Sequence, residues 1–149
     1  MKIMVLNGPN LNMLGIREPE QYGDRSYSDL ENYLEKYFEE KNVEGVVLQS
    51  NSEGELIDFI HHAYGTYDGI VINPGAYTHY SYAVFDALKS VSLPAVEVHL
   101  SNIHCREEFR RCSVIAPACL GQISGLGFAG YRYAVDYLIK NIGESEDEV

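Results

Sequence analysis

The sequence predicts a single α/β domain, with a five-stranded parallel sheet between two layers of helices. Its 149 residues suit one domain with one well-filled core. Short apolar runs alternate along the chain with amphipathic segments of helical period. The runs themselves are apolar without polar alternation, which is typical of parallel strands that are buried on both faces.

Three strands and two helices are expected in the first half of the chain. The strands are Ile3–Leu6, Gly45–Leu48 and Gly69–Ile72. Ser28 and Glu31 fit a capping box, so we expect a helix there whose apolar face consists of Leu30, Leu34, Tyr37 and Phe38. Asn51 or Ser52 is expected to cap the second helix, whose apolar residues are Leu56, Ile57, Ile60 and Tyr64.

The second half completes the sheet. Its expected strands are Ala95–Leu100 and Ser113–Ala116, and its expected helical segments are Ser81–Lys89, Arg106–Arg111 and Phe128–Ile142. Crossovers between parallel strands are right-handed, so the natural strand order is 2-1-3-4-5. This order is that of a flavodoxin-like three-layer sandwich.

Ligands in such sheets bind beyond the carboxyl ends of the strands. That edge receives the segments Asn7–Gly23, Asn73–His79 and His99–Arg110, which hold nearly all the unusual polar residues. The first segment is seventeen residues long, and loops of that length are often functional. Its Arg17 and Tyr22 suggest proton transfer, with a plain surface loop as an equal alternative.

We expect one catalytic domain, residues 1–142, and a disordered acidic tail, residues 143–149.

Composition and charge argue against several classes of partner. The net charge of -11 disfavours nucleic acid and anionic membranes, and no apolar run is long enough to span a bilayer. The chain enters a strand directly, so we expect no signal peptide. Cys105, Cys112 and Cys119 lack CxxC spacing, which fits free thiols in the cytoplasm. His104 beside Cys105 could be half of a metal site, but no set of four ligands is evident.

Two familiar cofactor and catalytic patterns fail on context. Gly125–Gly130 matches the GxGxxG pattern of dinucleotide sites, but the rest of the chain has room for one helix and no second strand. These glycines are better explained by close packing of the last helix. Imine chemistry needs a lysine at the carboxyl edge of the sheet, whereas the lysines lie at a strand start, on helix faces or at helix ends: Lys2, Lys36, Lys41, Lys89 and Lys140.

Five sequence blocks, in this order, resemble type II 3-dehydroquinate dehydratase. They are LNGPNLNMLGIREPEQYG, QSNSEGELIDFIH, INPGAYTHYS with the later DAL, EVHLSNIHCREEFR, and GLGFAGY, and they extend from about Ile3 to Leu138. The resemblance implies dehydration of 3-dehydroquinate to 3-dehydroshikimate through an enolate, in the shikimate pathway of aromatic amino acid biosynthesis. It also implies that no metal or cofactor is used, and that the chain forms a homododecamer of four trimers.

The resemblance assigns the proton-transfer roles. Tyr22 matches the general base, Arg17 the transition-state stabiliser and His99 the general acid. The assignment is chemically consistent, because a phenol ordinarily ionises only near pH ~10 and a nearby cation favours its charged form. Glu97 lies two residues before His99 on the same strand face, where it can orient the imidazole. Asn10 matches the residue that holds the water at the enolate oxygen.

The resemblance also assigns the binding roles. Asn73, His79 and Arg110 would contact ring hydroxyl groups, while Leu100 and Ser101 would receive the substrate carboxylate. Asp86 would act in a neighbouring subunit's pocket. Arg106 and Arg111 are left to ion pairing or loop support, although Arg106, Arg110 and Arg111 together could instead be a small-anion site.

The third block departs from the commonest family pattern at three positions, which are Tyr80, Tyr82 and Phe85. These extra aromatic side chains would enlarge a hydrophobic subunit interface. The competing hypothesis is a non-catalytic ligand-binding or assembly protein on the same fold. That class predicts the loss of one or more proton-transfer groups, whereas Tyr22, Arg17 and His99 are all present.

Overall fold

The computed structural model describes residues 1–147 of the chain. Five parallel strands form one sheet in the order β2-β1-β3-β4-β5, which confirms the predicted fold class. The strands are β1 Lys2–Asn7, β2 Glu44–Gln49, β3 Gly69–Asn73, β4 Ala95–His99 and β5 Gly121–Ser124. The helices are α1 Pro19–Tyr22, α2 Tyr27–Lys41, α3 Glu53–Ala63, α4 Tyr82–Val91 and α5 Phe128–Asp147. No helix in residues 1–147 is long and apolar enough to cross a membrane.

Each face of the sheet has its own apolar core. Ile3 and Val5 of β1 pack with residues of α2 and α5, whereas Met4 and Leu6 pack with residues of α3 and α4. Successive side chains of a strand point to opposite faces, so an unbroken apolar run is buried on both sides. Polar side chains that end these strands therefore lie at the carboxyl edge of the sheet.

The predicted fifth strand, Ser113–Ala116, is wrong. The fifth strand is β5, which is short, begins at a glycine and has a mixed polar sequence. Ser113 instead turns its hydroxyl group toward Glu97, at 2.8 Å, and Ile115 is fully buried against the α4 side of the sheet. Pro117 then lies in a 3-10 turn, Ala116–Ala118. The apolar residues of the predicted strand serve core packing rather than sheet pairing.

Several helix boundaries also differ from the prediction. The capping box of α2 is formed by Ser26 and Asp29, not by Ser28 and Glu31, through the reciprocal contacts Asp29 N to Ser26 Oγ and Ser26 N to Asp29 Oδ2. The helical segment predicted at Arg106–Arg111 is only a 3-10 turn, Glu108–Arg111.

The ends of α3 and α5 are also defined. Ser52, one of the two expected caps, accepts from Glu55 N at the start of α3. α5 continues to Asp147, beyond its predicted end at Ile142. The last two residues of the predicted acidic tail lie outside the described residues.

Two glycines permit close packing near the carboxyl edge. A Cβ atom on Gly8 would lie 2.4 Å from the carbonyl oxygen of Pro74, so the segments that follow β1 and β3 touch backbone to backbone. A Cβ on Gly130 would meet Ile123 and Val98 at 3.3 and 3.5 Å. The GxGxxG segment thus brings α5 close to the sheet.

We predict that Ser26→Ala destabilises the protein by roughly 1 kcal/mol, because it removes the side-chain acceptor of a helix cap. The expected fall in Tm is about 2–4 °C for a chain of this size. Thermal unfolding followed by circular dichroism measures the effect. Ser28→Ala, on the exposed surface of the same helical turn, is the matched control and should change Tm little. Equal effects of the two substitutions would contradict the observed cap.

Candidate active site

A pocket opens at the carboxyl edge of the sheet, over the ends of β1, β3 and β4. Every residue that the sequence predicted for the site, except Glu97 and Asp86, lines this pocket: Asn10, Arg17, Tyr22, Asn73, His79, His99, Leu100, Ser101 and Arg110. Glu97 lies behind it, and Asp86 is exposed on α4. A wider depression beside Phe38 and Glu44 lies at the opposite end of the strands and contains none of these residues.

Glu97 and His99 alternate along β4 and point to the same face. Glu97 is fully buried, and its Oε2 lies 3.2 Å from Nε2 of His99. Thr78 and Ser113 each donate a hydroxyl hydrogen bond of 2.8 Å to Glu97 Oε1, and the Gln122 side-chain amide donates to Oε2. A carboxylate that accepts this many hydrogen bonds is held rigidly, so the imidazole beside it is held as well.

The surroundings of Glu97 keep it ionised. Burial alone would raise the pKa of this carboxyl group, but the hydrogen bond and charge of His99, with hydrogen bonds from Gln122 and Ser113, lower it overall. The alternation that the sequence showed at Glu97 and His99 thus produces a carboxylate–imidazole pair. Its donors Thr78, Ser113 and Gln122 come from three separate segments, which no local sequence pattern could bring together.

Tyr22 lies between two guanidinium groups. The Cζ atoms of Arg17 and Arg106 are each 5.1 Å from the centre of its ring. Arg106 Nη1 donates to the Tyr22 hydroxyl oxygen at 2.5 Å and to Ser101 Oγ at 3.2 Å. The Arg106 side chain is only 7% exposed, so this cation acts at short range with little water around it. The contact places the positive charge of Arg106 directly at the Tyr22 hydroxyl oxygen.

Arg106 is the residue of this site that sequence reasoning missed. The ion pairing expected of it does exist, because its Nη2 lies 3.5 Å from Glu18 Oε2. Its principal contact, however, is the Tyr22 hydroxyl group. The basic cluster was the available signal, but the sequence did not show which of Arg106, Arg110 and Arg111 faces the pocket. Arg111 is exposed, and Arg110 Nε pairs with Glu107 Oε2 at 2.5 Å, as the ion-pair interpretation expected.

The segment that carries Arg17 and Tyr22 closes through a short, constrained turn. Pro19 begins α1, where its fixed φ angle suits the first helical position. Glu18, just before it, has a φ of 40°, in the left-handed region that residues with a side chain rarely adopt. Its carboxylate lies 3.5 Å from Arg17 Nε and 3.5 Å from Arg106 Nη2. The two arginines that flank Tyr22 are thus joined through one acidic residue.

His79 and Asn10 have defined settings in the pocket wall. His79 Nδ1 lies 2.8 Å from the Cys112 carbonyl oxygen, which leaves Nε2 toward the pocket. Burial lowers the pKa of His79, although the Cys112 carbonyl opposes this shift, so the ring is neutral near pH 7. Asn10 has a φ of 69°, and its backbone N–H donates to Asn51 Oδ1 at 3.0 Å. Among the side chains that the structure describes, no group of three His, Cys, Asp or Glu could hold a metal ion.

A sequence model described as dehydroquinase class II matches residues 1–139. The chain belongs to this family. A 3-dehydroquinate dehydratase of Clostridium perfringens (strain SM101 / Type A) is 61% identical over 143 residues, which cover 95% of this chain and 98% of the relative. A 3-dehydroquinate dehydratase of Fusobacterium nucleatum is 59% identical over 143 residues, with 94% and 97% covered.

Solved structures agree. The type II dehydroquinase of Butyrivibrio crossotus matches with a TM-score of 0.92 at 57% identity, over 93% of this chain and 97% of that one. The type II dehydroquinase of Propionibacterium acnes matches with a TM-score of 0.89 at 44% identity, over 92% and 94%. The predicted family and the predicted enzyme class, a hydro-lyase, are confirmed.

We predict that Glu97→Gln lowers the free energy of unfolding by roughly 3 kcal/mol at pH 7, because it places an uncharged amide among donors that require an acceptor. Folding lowers the pKa of Glu97 below its ordinary 4.5. The stability that ionised Glu97 contributes is therefore complete above pH 4.5, and it is lost as the pH falls through the lower pKa of the folded state.

Thermal melts of wild type and Glu97→Gln between pH 7 and 3 provide the measurement. The difference in Tm should narrow below pH 4.5, the ordinary value. Glu108→Gln, a substitution of an exposed carboxylate, should change Tm little. A difference between wild type and Glu97→Gln that stays constant to pH 3 would contradict ionisation of Glu97.

Proposed function

We propose that this chain catalyses the dehydration of 3-dehydroquinate to 3-dehydroshikimate through an enolate intermediate. The observation that carries the proposal is the contact between Arg106 Nη1 and the Tyr22 hydroxyl oxygen, in a pocket that His99 also lines. Removing a proton next to a ketone requires a base, a group that stabilises the enolate, and an acid for the departing hydroxide. The pocket offers a residue for each role.

Tyr22 is assigned the base. Its phenolate accepts the proton from the carbon adjacent to the ketone, and the electron pair of that C–H bond moves to the carbonyl oxygen as an enolate. Arg106 and Arg17 stabilise the negative charge on Tyr22 before this step. A water held by Asn10 is assigned to stabilise the enolate oxygen. The guanidinium charge is fixed in place beforehand, so it lowers the barrier without reorganisation during the reaction.

His99 is assigned the acid. Its Nε2 faces the Glu97 carboxylate, so we assign proton transfer to Nδ1. As the enolate collapses, the bond from ring C1 to its hydroxyl group breaks and the proton from His99 converts the hydroxide to water. The buried Glu97 carboxylate holds the imidazole in place for this transfer. Tyr22 then loses the proton it accepted and His99 regains one, so the cycle is balanced and consumes no cofactor.

Binding is assigned to the pocket walls. The backbone N–H groups of Leu100 and Ser101, with the Ser101 hydroxyl, are assigned the substrate carboxylate. Asn73, His79 and Arg110 are assigned the ring hydroxyl groups. Arg106 already donates to Ser101 Oγ, so the cation that activates Tyr22 also lies next to the proposed carboxylate position. Through Arg106, the charge of the bound substrate carboxylate would therefore affect Tyr22, the assigned base.

We further propose a homododecamer of four trimers that acts in the cytoplasm, in aromatic amino acid biosynthesis. The support is the resemblance of the sequence blocks and the position of Asp86, which is exposed on α4 and does not line its own chain's pocket. Closed rotational symmetry would place the Asp86 of one subunit at the site of the next in every trimer. The exposed Tyr82 is the first residue of this helix and the exposed Tyr80 lies two residues before it, and both suit a buried contact between subunits.

The decisive experiment adds 3-dehydroquinate to the purified protein and follows the conjugated enone absorbance of the product. We expect activity that survives EDTA, and survives borohydride added with substrate.

Tyr22→Phe should lose at least about a hundredfold in kcat while still binding a ring analogue, because it removes a proton acceptor but little contact area. If Tyr22→Phe retains activity within about tenfold, which is ~1.4 kcal/mol of barrier, Tyr22 is not the base.

A second prediction separates Arg106 from its neighbours. Arg106→Met keeps much of the aliphatic length of the side chain but removes the charge at the Tyr22 oxygen, so kcat should fall by about a hundredfold or more. Arg111→Met removes the same charge from an exposed position nearby and should leave kcat within about twofold. Steady-state kinetics on both variants make the comparison. Equal losses would mean that Arg106 acts only through the overall charge of the cluster.

A third prediction concerns Asp86. Tyr22→Phe and Asp86→Ala chains should each be poor catalysts, but co-refolded chains should regain sites that combine an intact Tyr22 with a neighbour's intact Asp86. Random mixing in a cyclic trimer restores roughly a quarter of the sites. Activity is measured after subunit exchange has been verified by mass spectrometry of differently tagged chains. A mixture that shows only the average of the two variants would place the action of Asp86 within its own chain, or nowhere in the reaction.

A further inference from the structure

A buried polar relay lies directly behind the pocket. Asn7 and Asn73 end β1 and β3 and are register partners, so both side chains point to the α5 face of the sheet. Tyr131, in the first turn of α5, is fully buried and contacts both. Its hydroxyl group donates to Asn7 Oδ1 at 2.7 Å and accepts from Asn73 Nδ2 at 2.9 Å. We call Asn7, Tyr131 and Asn73 the asparagine–tyrosine relay.

The relay fixes which way the Asn73 amide faces. The single proton of the Tyr131 hydroxyl is used on Asn7, so toward Asn73 that oxygen can only accept. On its other side, Asn73 Oδ1 accepts from the backbone N–H of Gly75 at 3.2 Å. A flipped amide would set two donors against each other at Gly75 and would leave Tyr131 without a donor. Burial also raises the pKa of Tyr131, so its hydroxyl stays protonated at any working pH.

Asn73 itself is nearly inaccessible but reaches the pocket wall. It is 3% exposed, and it lines the pocket, whereas Tyr131 does not line it. With one N–H used on Tyr131 and one lone pair used on Gly75, Asn73 retains one N–H and one lone pair. A group with one donor and one acceptor is matched by a ligand hydroxyl, which has both. Tyr131, which lies on the side of Asn73 away from the pocket, sets the direction of this free N–H and this free lone pair.

We infer that Tyr131 is a positioning residue for substrate binding, which holds the Asn73 amide in the one orientation that presents its free donor and acceptor to a ring hydroxyl group. This inference rests on the proposed function, in which Asn73 binds such a hydroxyl. A tyrosine that only satisfied a buried hydrogen bond would affect stability alone. A positioning residue also affects substrate affinity, and does so only while Asn73 is present.

The test uses Tyr131→Phe, which removes one oxygen atom and keeps the ring that fills the core. Tyr37→Phe is the matched control: it removes the hydroxyl of another tyrosine whose ring packs in this core, and that hydroxyl donates to Asp136, away from the pocket. Steady-state kinetics with 3-dehydroquinate are measured well below the Tm of each variant, in wild-type and Asn73→Ala backgrounds. Hydrogen exchange of the peptide that spans residues 73–79 is followed by mass spectrometry.

We expect Tyr131→Phe to raise KM about tenfold with a smaller change in kcat, whereas Tyr37→Phe leaves both within about twofold. In the Asn73→Ala background, Tyr131→Phe should add less than a twofold further loss in kcat/KM, because its effect passes through Asn73. Hydrogen exchange at residues 73–79 should be faster in Tyr131→Phe and unchanged in Tyr37→Phe. The reason is that the Gly75 N–H donates to the side-chain oxygen of Asn73, which Tyr131 holds in place.

The possible results are distinct. Unchanged kinetics in Tyr131→Phe, or a loss that adds fully to that of Asn73→Ala, would overturn the inference. If wild type shows no dehydratase activity, the proposed function fails, and the exchange measurement alone decides the positioning claim. Faster exchange in Tyr131→Phe but not Tyr37→Phe would then support it, and equal exchange in the two variants would overturn it.

Discussion

A parallel sheet covered on both faces leaves its polar side chains near water chiefly at the two edges where the strands begin and end, and this site lies at the edge where they end. The rest of this site follows from that constraint. Asn7, Asn73 and His99 occupy the last positions of β1, β3 and β4, Glu97 lies two residues before the end of β4, and all four are buried. Each buried polar group must find a protein partner or carry a large free-energy cost. Glu97 gathers donors from three segments, and Tyr131 joins the two asparagines.

The surface and the pocket of this chain carry opposite charge. Its surface is strongly acidic, with a net charge of -11, which by itself would repel an anionic substrate. Within the pocket, however, the balance is reversed by Arg17, Arg106 and Arg110. These cations line the pocket, where screening by salt is weaker than on the solvated surface over which the acidic residues are spread. A local field of this kind would favour an anionic ligand despite the overall charge.

Much of this structure could be predicted, and the errors have physical causes. β1, β3 and β4 are buried and are visible as apolar runs, and the half-buried edge strand β2 also has an apolar run, so these four strands and the strand order were found. The fifth strand was missed because the polar edge strand Gly121–Ser124 has a weaker pattern than the buried segment around Ile115. In the site, Glu97 and His99 were visible because strand alternation is local. Arg106 and Tyr131 were not, because their contacts with Tyr22 and Asn73 join residues that are 84 and 58 positions apart in the chain.

The contact between the segments after β1 and β3 determines how this site can change. Gly8 abuts the Pro74 carbonyl, and a Cβ on Gly75 would lie 3.0 Å from the Pro9 carbonyl oxygen. On this side, main chain therefore sets the spacing of the pocket, without any side chain between the two segments. Shape and chemistry are in this sense independent: side chains around the opening can be exchanged to alter selectivity while its width stays the same. A designer who wished to accept a bulkier ring would have to alter the two turns themselves.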